Sequence, residues 1–315
     1  MLHRSLLSTL LIVGLAAGCS SSPAQPDEQP VETAEEAEAK TERAEGAETA
    51  EKDATFAERL HLYADGPHRD EGNALRNQYR NPVETLMFFG LQPDMTVVEL
   101  GPGRGWYTEI LAPALAEEGK LVLAYGDAEH LEGYVVDIIN SFDAKLLAHP
   151  DIYGATQRAY LHAGHRIELG EPGSADMVLT FRSMHGWHSR NQIEEIVPTL
   201  HKVLRPGGIL GIVQHRAPEG ADPDETAKAG YLPQAYVVAT IEAYGFELVE
   251  ASEINANPAD TADHPEGVWT LPPNLRLEDT DREKYVAIGE SDRMTLKFKK
   301  VEAKKAVDDT VATDE

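Results

Sequence analysis

The stretch that most constrains this chain is Val97-Val98-Glu99-Leu100-Gly101-Pro102-Gly103-Arg104-Gly105-Trp106-Tyr107-Thr108. An apolar strand pattern runs into three alternating glycines and then into a helical pattern. Glycine reaches positive φ without a Cβ clash and lets backbone approach a ligand closely. A strand–turn–helix junction aims helix N-terminal amides at the carboxyl end of a strand, where open α/β sheets take their ligands. The spacing is G-x-G-x-G, with Glu99 two residues before the first glycine. A dinucleotide fingerprint needs G-x-G-x-x-G, and a P-loop needs Lys-Ser/Thr, so neither fits. Taken alone, the stretch also reads as a structural turn.

The surrounding pattern decides between these. Asn81-Pro82-Val83-Glu84 predicts a capping box opening a helix through Phe89. Strands are expected at Thr96–Leu100, Lys120–Tyr125, Arg158–His162, Met177–Phe181, Ile209–Gln214, Glu247–Ser252 and Arg293–Lys299. Helices are expected at Tyr107–Ala116, Leu131–Ala148, Gln192–Leu204 and Gln234–Tyr244. Strands alternating with helices predict an α/β fold: a mostly parallel sheet with helices on both faces. No helical pattern separates the last two strands, so one of them is expected to insert antiparallel.

Glu99-x-Gly101-x-Gly103-x-Gly105 resembles motif I of class I S-adenosylmethionine (SAM) dependent methyltransferases. Asp127, after the second strand, is similar to that family's ribose-binding acidic residue. Ser174–Leu179 resembles the entry to its fourth strand, and Leu204-Arg205-Pro206-Gly207-Gly208 the turn before its fifth. Residues 56–300 look most like a bacterial group of secreted or lipoprotein-type methyltransferases. Marks of that group are Gly105–Leu111, His215-Arg216, Ile254–Pro258 and Ile288–Arg293. The resemblance implies a Rossmann-like seven-stranded sheet with one antiparallel strand, and SAM as cofactor. It implies that Gly101, Gly103 and Gly105 face the methionyl end of SAM, Glu99 its ammonium and Asp127 its ribose. The stretch His162–Glu168 offers no clear match for an adenine-binding acid.

Other candidates come from position. His185, in the loop after the fourth strand, is the candidate catalytic base for a hydroxyl or amine acceptor; the competing reading is a hydrogen-bonded structural histidine. His188, His215, Arg216, Asn255, Asn257, Trp269 and Tyr79 are candidates for acceptor contacts, each weighed against packing or ion pairing. The connection from Glu253 to Asp292 is long enough to fold over a pocket. Close histidine pairs at 162/165 and 185/188 lack a convincing ligand set, so no metal is expected.

The ends of the chain read differently. Arg4, a largely apolar run of about a dozen residues from Leu6 to Ala17, and Gly18-Cys19 read as a secretory signal too short to span a bilayer. Its ending resembles a bacterial lipobox, which implies signal removal over 1–18 and a lipid on Cys19, the only cysteine among 315 residues. Ser20 is similar to an outer-membrane sorting signal, implying the periplasmic face of that membrane. Residues 20–55 carry eleven acidic against three basic residues and few large apolar ones, so 19–55 is expected to be a disordered tether, with a similar tail at 301–315. The net charge is −26, of which −16 lies in 56–300, which disfavours nucleic acid as a partner. The expected function is methyl transfer to a small-molecule or cell-envelope acceptor. The alternative is a tethered, non-catalytic binding protein that keeps the fold. No specific protein partner is implied.

Overall fold

The structure, a computed structural model, describes residues 55–301. The expected leader, lipidated Cys19 and tether, and the tail past 301, lie outside the described residues. Thr55 caps α1 (Phe56–Ala64): its hydroxyl accepts from the Glu58 amide, and the Glu58 carboxylate accepts from the Thr55 amide. This capping box escaped the sequence reading, which ended the tether at 55. The short α2 (Glu71–Ala74) and α3 (Asn77–Arg80) lead to α4 (Pro82–Phe89). The capping box expected at Asn81–Glu84 does not form. Asn81 sits at φ 38°, and its amide donates instead to the Ile254 carbonyl at 2.7 Å. A long-range bond has replaced the local cap, while Pro82 still opens the helix.

β1 (Thr96–Leu100) runs through the glycine turn into α5 (Thr108–Leu115), then β2 (Lys120–Tyr125), α6 (Tyr134–Ala148), α7 (Pro150–Tyr153) and β3 (Gln157–His162). The hairpin strand β4 (Arg166–Glu168) precedes β5 (Ala175–Phe181), α8 (Met184–Ser189) and α9 (Ile193–Val203). β6 (Leu204–Ala217) follows, with α10 (Pro223–Thr226), β7 (Leu232–Pro233), α11 (Gln234–Glu242) and β8 (Phe246–Ser252). α12 (Arg282–Ile288) and β9 (Arg293–Lys300) close the described chain.

The strands form one nine-stranded sheet in the order β4-β3-β2-β1-β5-β6-β9-β8, with β7 paired to β6 off this path. The central strands are parallel; for example, Val98 aligns with Val122 on one side and Val178 on the other. β9 runs antiparallel between β6 and β8, with Ile212 opposite Leu296. The expectation of seven strands with one antiparallel is therefore corrected. β4 adds a second antiparallel strand beside β3. The two extra strands, of three and two residues, are too short to show a period of two. A helix, α12, does stand between β8 and β9, and β9 still enters antiparallel.

Both sheet faces are covered, which is why the central strands read as continuous apolar runs. Val98, Val178 and Leu210 pack against Ile196, Leu200 and Ile241 on one face. Val97, Leu121 and Leu179 pack against Leu60, Leu86, Phe89 and Ile110 on the other. Each such side chain contributes roughly 1.5–3 kcal/mol by leaving water. Trp106, just past the glycine turn, lies between two guanidinium groups, Arg69 at 4.8 Å and Arg80 at 4.7 Å from the ring centre. Arg69 is held there by the buried Glu109 carboxylate at 2.9 Å.

Candidate ligand cleft at the switch point of the sheet

β1 has β2 on one side and β5 on the other, so the winding reverses between β1 and β5. At such a switch point the loops beyond the carboxyl ends of the strands part and leave a crevice. A cleft of about 670 Å³ lies here. Gly101 and Gly103 line it from the β1 turn, Tyr125 and Gly126 from the end of β2, and His162 and Ala163 from the end of β3. Arg182, Ser183 and His185 close it from the end of β5, and Ile138 and Ile139 of α6 supply an apolar wall. The volume falls within the usual range for small-ligand sites.

The three glycines are needed for different reasons. All have positive φ: 59° at Gly101, 63° at Gly103 and 88° at Gly105. A Cβ on Gly103 would meet nothing within 4 Å, so that side of the turn is open to a ligand. A Cβ on Gly105 would lie 2.8 Å from the Phe142 ring, so that glycine serves packing. Glu99 lies at the root of the turn, 1% exposed. It accepts from the Thr108 hydroxyl at 2.7 Å. Burial raises its pKa to about 7, and the Thr108 bond opposes the rise. Asp127 flanks the cleft next to Gly126. It accepts from the Glu129 amide at 3.1 Å, and that bond lowers its pKa.

His185 lines the cleft with its Nδ1 3.3 Å from the Gln214 amide nitrogen. Burial pushes its pKa down to about 4, so the imidazole is neutral at physiological pH. Trp269 stands edge-on to it at 6.1 Å and His215 is tilted at 5.9 Å, so these three expected residues do come together. Trp269 is the one candidate that the 253–292 connection brings toward His185. His215 itself is buried, with Nδ1 2.6 Å from the Ser291 hydroxyl.

The remaining candidates are not brought to the cleft, because their hydrogen bonds lie elsewhere. His188 has both ring nitrogens engaged, by the Tyr236 hydroxyl at 2.7 Å and the Asp224 carboxylate at 2.8 Å. Arg216 forks onto Asp292 and Glu253. Asn255 donates to the Thr85 and Thr295 hydroxyls, both at 2.9 Å. Asn257 donates to the Ile288 and Glu290 carbonyls at 2.8 and 2.7 Å. Tyr79 packs on Gly289 and is about a third exposed.

Two cleft residues were missed by the sequence reading. His162 has a buried Nδ1 with no hydrogen-bond partner among the described residues, at the place where the sequence offered no base-binding acid. Arg182 is a non-glycine residue at φ 63°. Neither has a local sequence signal; only the adjacent strand ends bring them together. Among the described residues, no group of three or more His, Cys, Asp or Glu side chains is arranged to hold a metal ion.

The fold and cleft define a doubly wound α/β protein with an open cleft at its switch point. No protein-family model matches the chain, and no curated protein matches it by sequence. Solved structures do resemble it. A SAM-dependent methyltransferase from Aquifex aeolicus is 17% identical, with 79% of this chain and 100% of that one covered and a TM-score of 0.45. One from Methanosarcina mazei is 11% identical, covering 69% and 98%, with a TM-score of 0.45. One from Mesorhizobium loti is 12% identical, covering 69% and 97%, with a TM-score of 0.40. At identities and TM-scores this low the likenesses carry no argument about function, which must be argued from the site.

Proposed function

We propose that the chain is a SAM-dependent methyltransferase acting on a small-molecule or cell-envelope acceptor. The observation that carries this reading is the open side of Gly103, a positive-φ glycine whose missing side chain faces free space at the switch-point cleft. The residues fit the cofactor. The backbone at Gly103 has room for an amino-acid moiety, Glu99 can pair with an ammonium, and the carboxylate of Asp127, next to the cleft-lining Gly126, can accept from vicinal hydroxyls. The orphan Nδ1 of His162 and the apolar Ile138 and Ile139 suit a heteroaromatic base.

When bound, SAM supplies a methyl group already activated on a sulfonium. The chain's task is then to orient the acceptor and exclude water, which alone accounts for much of the rate in such transfers. His185, neutral and inside the cleft, takes the acceptor proton where the acceptor is a hydroxyl or amine. We further propose that Cys19 is lipid-modified after export, placing the domain on the envelope, at the periplasmic face of the outer membrane. The rival, a non-catalytic envelope binding protein, draws support from that same leader, because SAM is made in the cytosol.

Calorimetric titration of SAM and S-adenosylhomocysteine into the full chain tests the reading, with Gly103→Asp as control. Micromolar binding that falls about 100-fold in the control, a difference of about 2.7 kcal/mol, is expected. No heat at high micromolar ligand with folded protein overturns it. Binding without methyl transfer to envelope extracts favours the rival. Metabolic labelling with a radioactive fatty acid checks the anchor: Cys19→Ser is expected to lose the label.

A further inference from the structure

Three guanidinium groups contact a single carboxylate, and a fourth, on a residue that lines the cleft, lies within its electrostatic reach. Glu290 accepts from Arg76 Nε at 2.6 Å and Arg80 Nε at 2.9 Å, and Arg293 Nη1 lies at 3.4 Å. The fourth, Arg182, feels Glu290 and the other arginines electrostatically; its backbone amide donates to the Val213 carbonyl at 2.6 Å, but its guanidinium makes no hydrogen bond or ion pair among the described residues. It lines the cleft, next to Ser183 and His185. Arg80 is 1% exposed, and its Nη2 is buried with no hydrogen-bond partner. Arg182 also holds a left-handed backbone at φ 63°, a conformation that costs a non-glycine residue about 1 kcal/mol.

Such an arrangement is expensive without a counter-charge. A buried cation that has left water is stabilised only by an anion and by hydrogen bonds to its fork. Glu290 cannot serve all four: its two oxygens already take Arg76, Arg80 and Arg293. The chain is strongly acidic overall, at −26, so a basic pocket here is a local construction. The guanidinium fork matches the two oxygens of a carboxylate or phosphate.

We infer that Arg182, backed by Arg80, forms an oxyanion subsite of the cleft that receives a carboxylate or phosphate group. The inference deepens the methyl-transfer reading, and on that reading the oxyanion comes from one of two sources. It is the carboxylate of the cofactor's amino-acid end, or an anionic group on the acceptor.

The test uses the full chain, Arg182→Asn and Arg182→Lys, because asparagine tolerates the left-handed backbone. The probes are inorganic phosphate, S-adenosylhomocysteine and 5′-methylthioadenosine, which lacks the amino-acid end. If the cofactor supplies the oxyanion, Arg182→Asn weakens S-adenosylhomocysteine about tenfold or more and leaves 5′-methylthioadenosine unchanged. If the acceptor supplies it, both nucleosides keep their affinity and phosphate binding falls about tenfold. Arg182→Lys retains part of the lost affinity in either case. Phosphate binding that depends on Arg182 in a chain that binds neither nucleoside would sink the methyltransferase reading and keep the subsite. Unchanged affinity for every probe in Arg182→Asn, or no binding of phosphate or S-adenosylhomocysteine to the wild type, overturns the proposal. Unliganded Arg182→Asn is expected to melt no lower than the wild type. A lower melting temperature, or failure to fold, assigns Arg182 to the scaffold and also overturns it.

Discussion

Two regions of the molecule, the β1–β5 end of the cleft and the 253–292 connection, are built on opposite plans. At the β1–β5 end, polar groups are left available: Gly103 faces open space, His162 Nδ1 has no partner, and Arg182 is unpaired among the described residues. Along the 253–292 connection, polar groups are committed to one another. Asp260 alone takes the Ala262 and Asp292 amides at 2.9 and 2.8 Å, the Tyr231 hydroxyl and the His264 ring. The first region resembles a receptor and the second a brace. Residue type alone does not separate them; both contain His and Arg. What separates them is whether a side chain's bonding capacity is already filled.

The sharpest way to break this comparison is at the brace. Asp260→Ala strips the acceptor from two backbone amides and a phenol in a buried setting. Each orphaned donor costs about 1–3 kcal/mol, so a loss of about 3 kcal/mol or more is expected in urea unfolding. Affinity for S-adenosylhomocysteine should survive wherever the variant is folded. A variant that keeps its stability and loses ligand would move the connection into the receptor class.

Glu99 probes the receptor side. Its pKa is raised from 4.5 to about 7 by burial, so the protonated carboxyl is the form favoured in the unliganded fold. The stability it contributes is fully present below about pH 4.5 and is lost as pH rises through 7. Glu99→Gln removes that loss. The unliganded variant should gain on the order of 2–3 kcal/mol over the wild type at pH 8, and almost nothing at pH 4. Ligand affinity should fall at the same time, since an ammonium needs the charged form. Melting curves at the two pH values, paired with titrations, read both effects; a variant less stable at pH 8 would place Glu99 in the scaffold.

The smallest effect is expected at His188, which bonds Tyr236 and Asp224 away from the cleft lining. His188→Ala should cost about 1 kcal/mol of stability and leave ligand affinity unchanged. Any loss of affinity beyond about threefold would put His188 back among the site residues.

This contrast also explains what was legible in the sequence. The boundaries of β1 and β2 were exposed by their apolar runs, and the glycine turn by its spacing. The antiparallel entry of β9 followed from the missing crossover pattern, although α12 does occupy part of that connection. The capping motif at Asn81 misled because Ile254, 173 residues away in sequence, offers its side chain a better partner. Arg216, Asn255 and Asn257 looked like site residues by type and position, and their partners lie on segments that sequence order does not juxtapose. Arg182 and His162 were not read as cleft residues for the converse reason. Their meaning lies in bonds that are not made, and no local pattern encodes an absence.

The placement of the aromatic residues has a practical consequence. The chain has three tryptophans. Trp106 follows the glycine turn, pinned between Arg69 and Arg80; Trp187 lines the cleft; and Trp269 stands edge-on to His185. Every indole therefore lies in or near the same site. Emission excited in the indole band reports on that neighbourhood without a background from remote tryptophans, so the protein carries its own optical gauge of occupancy.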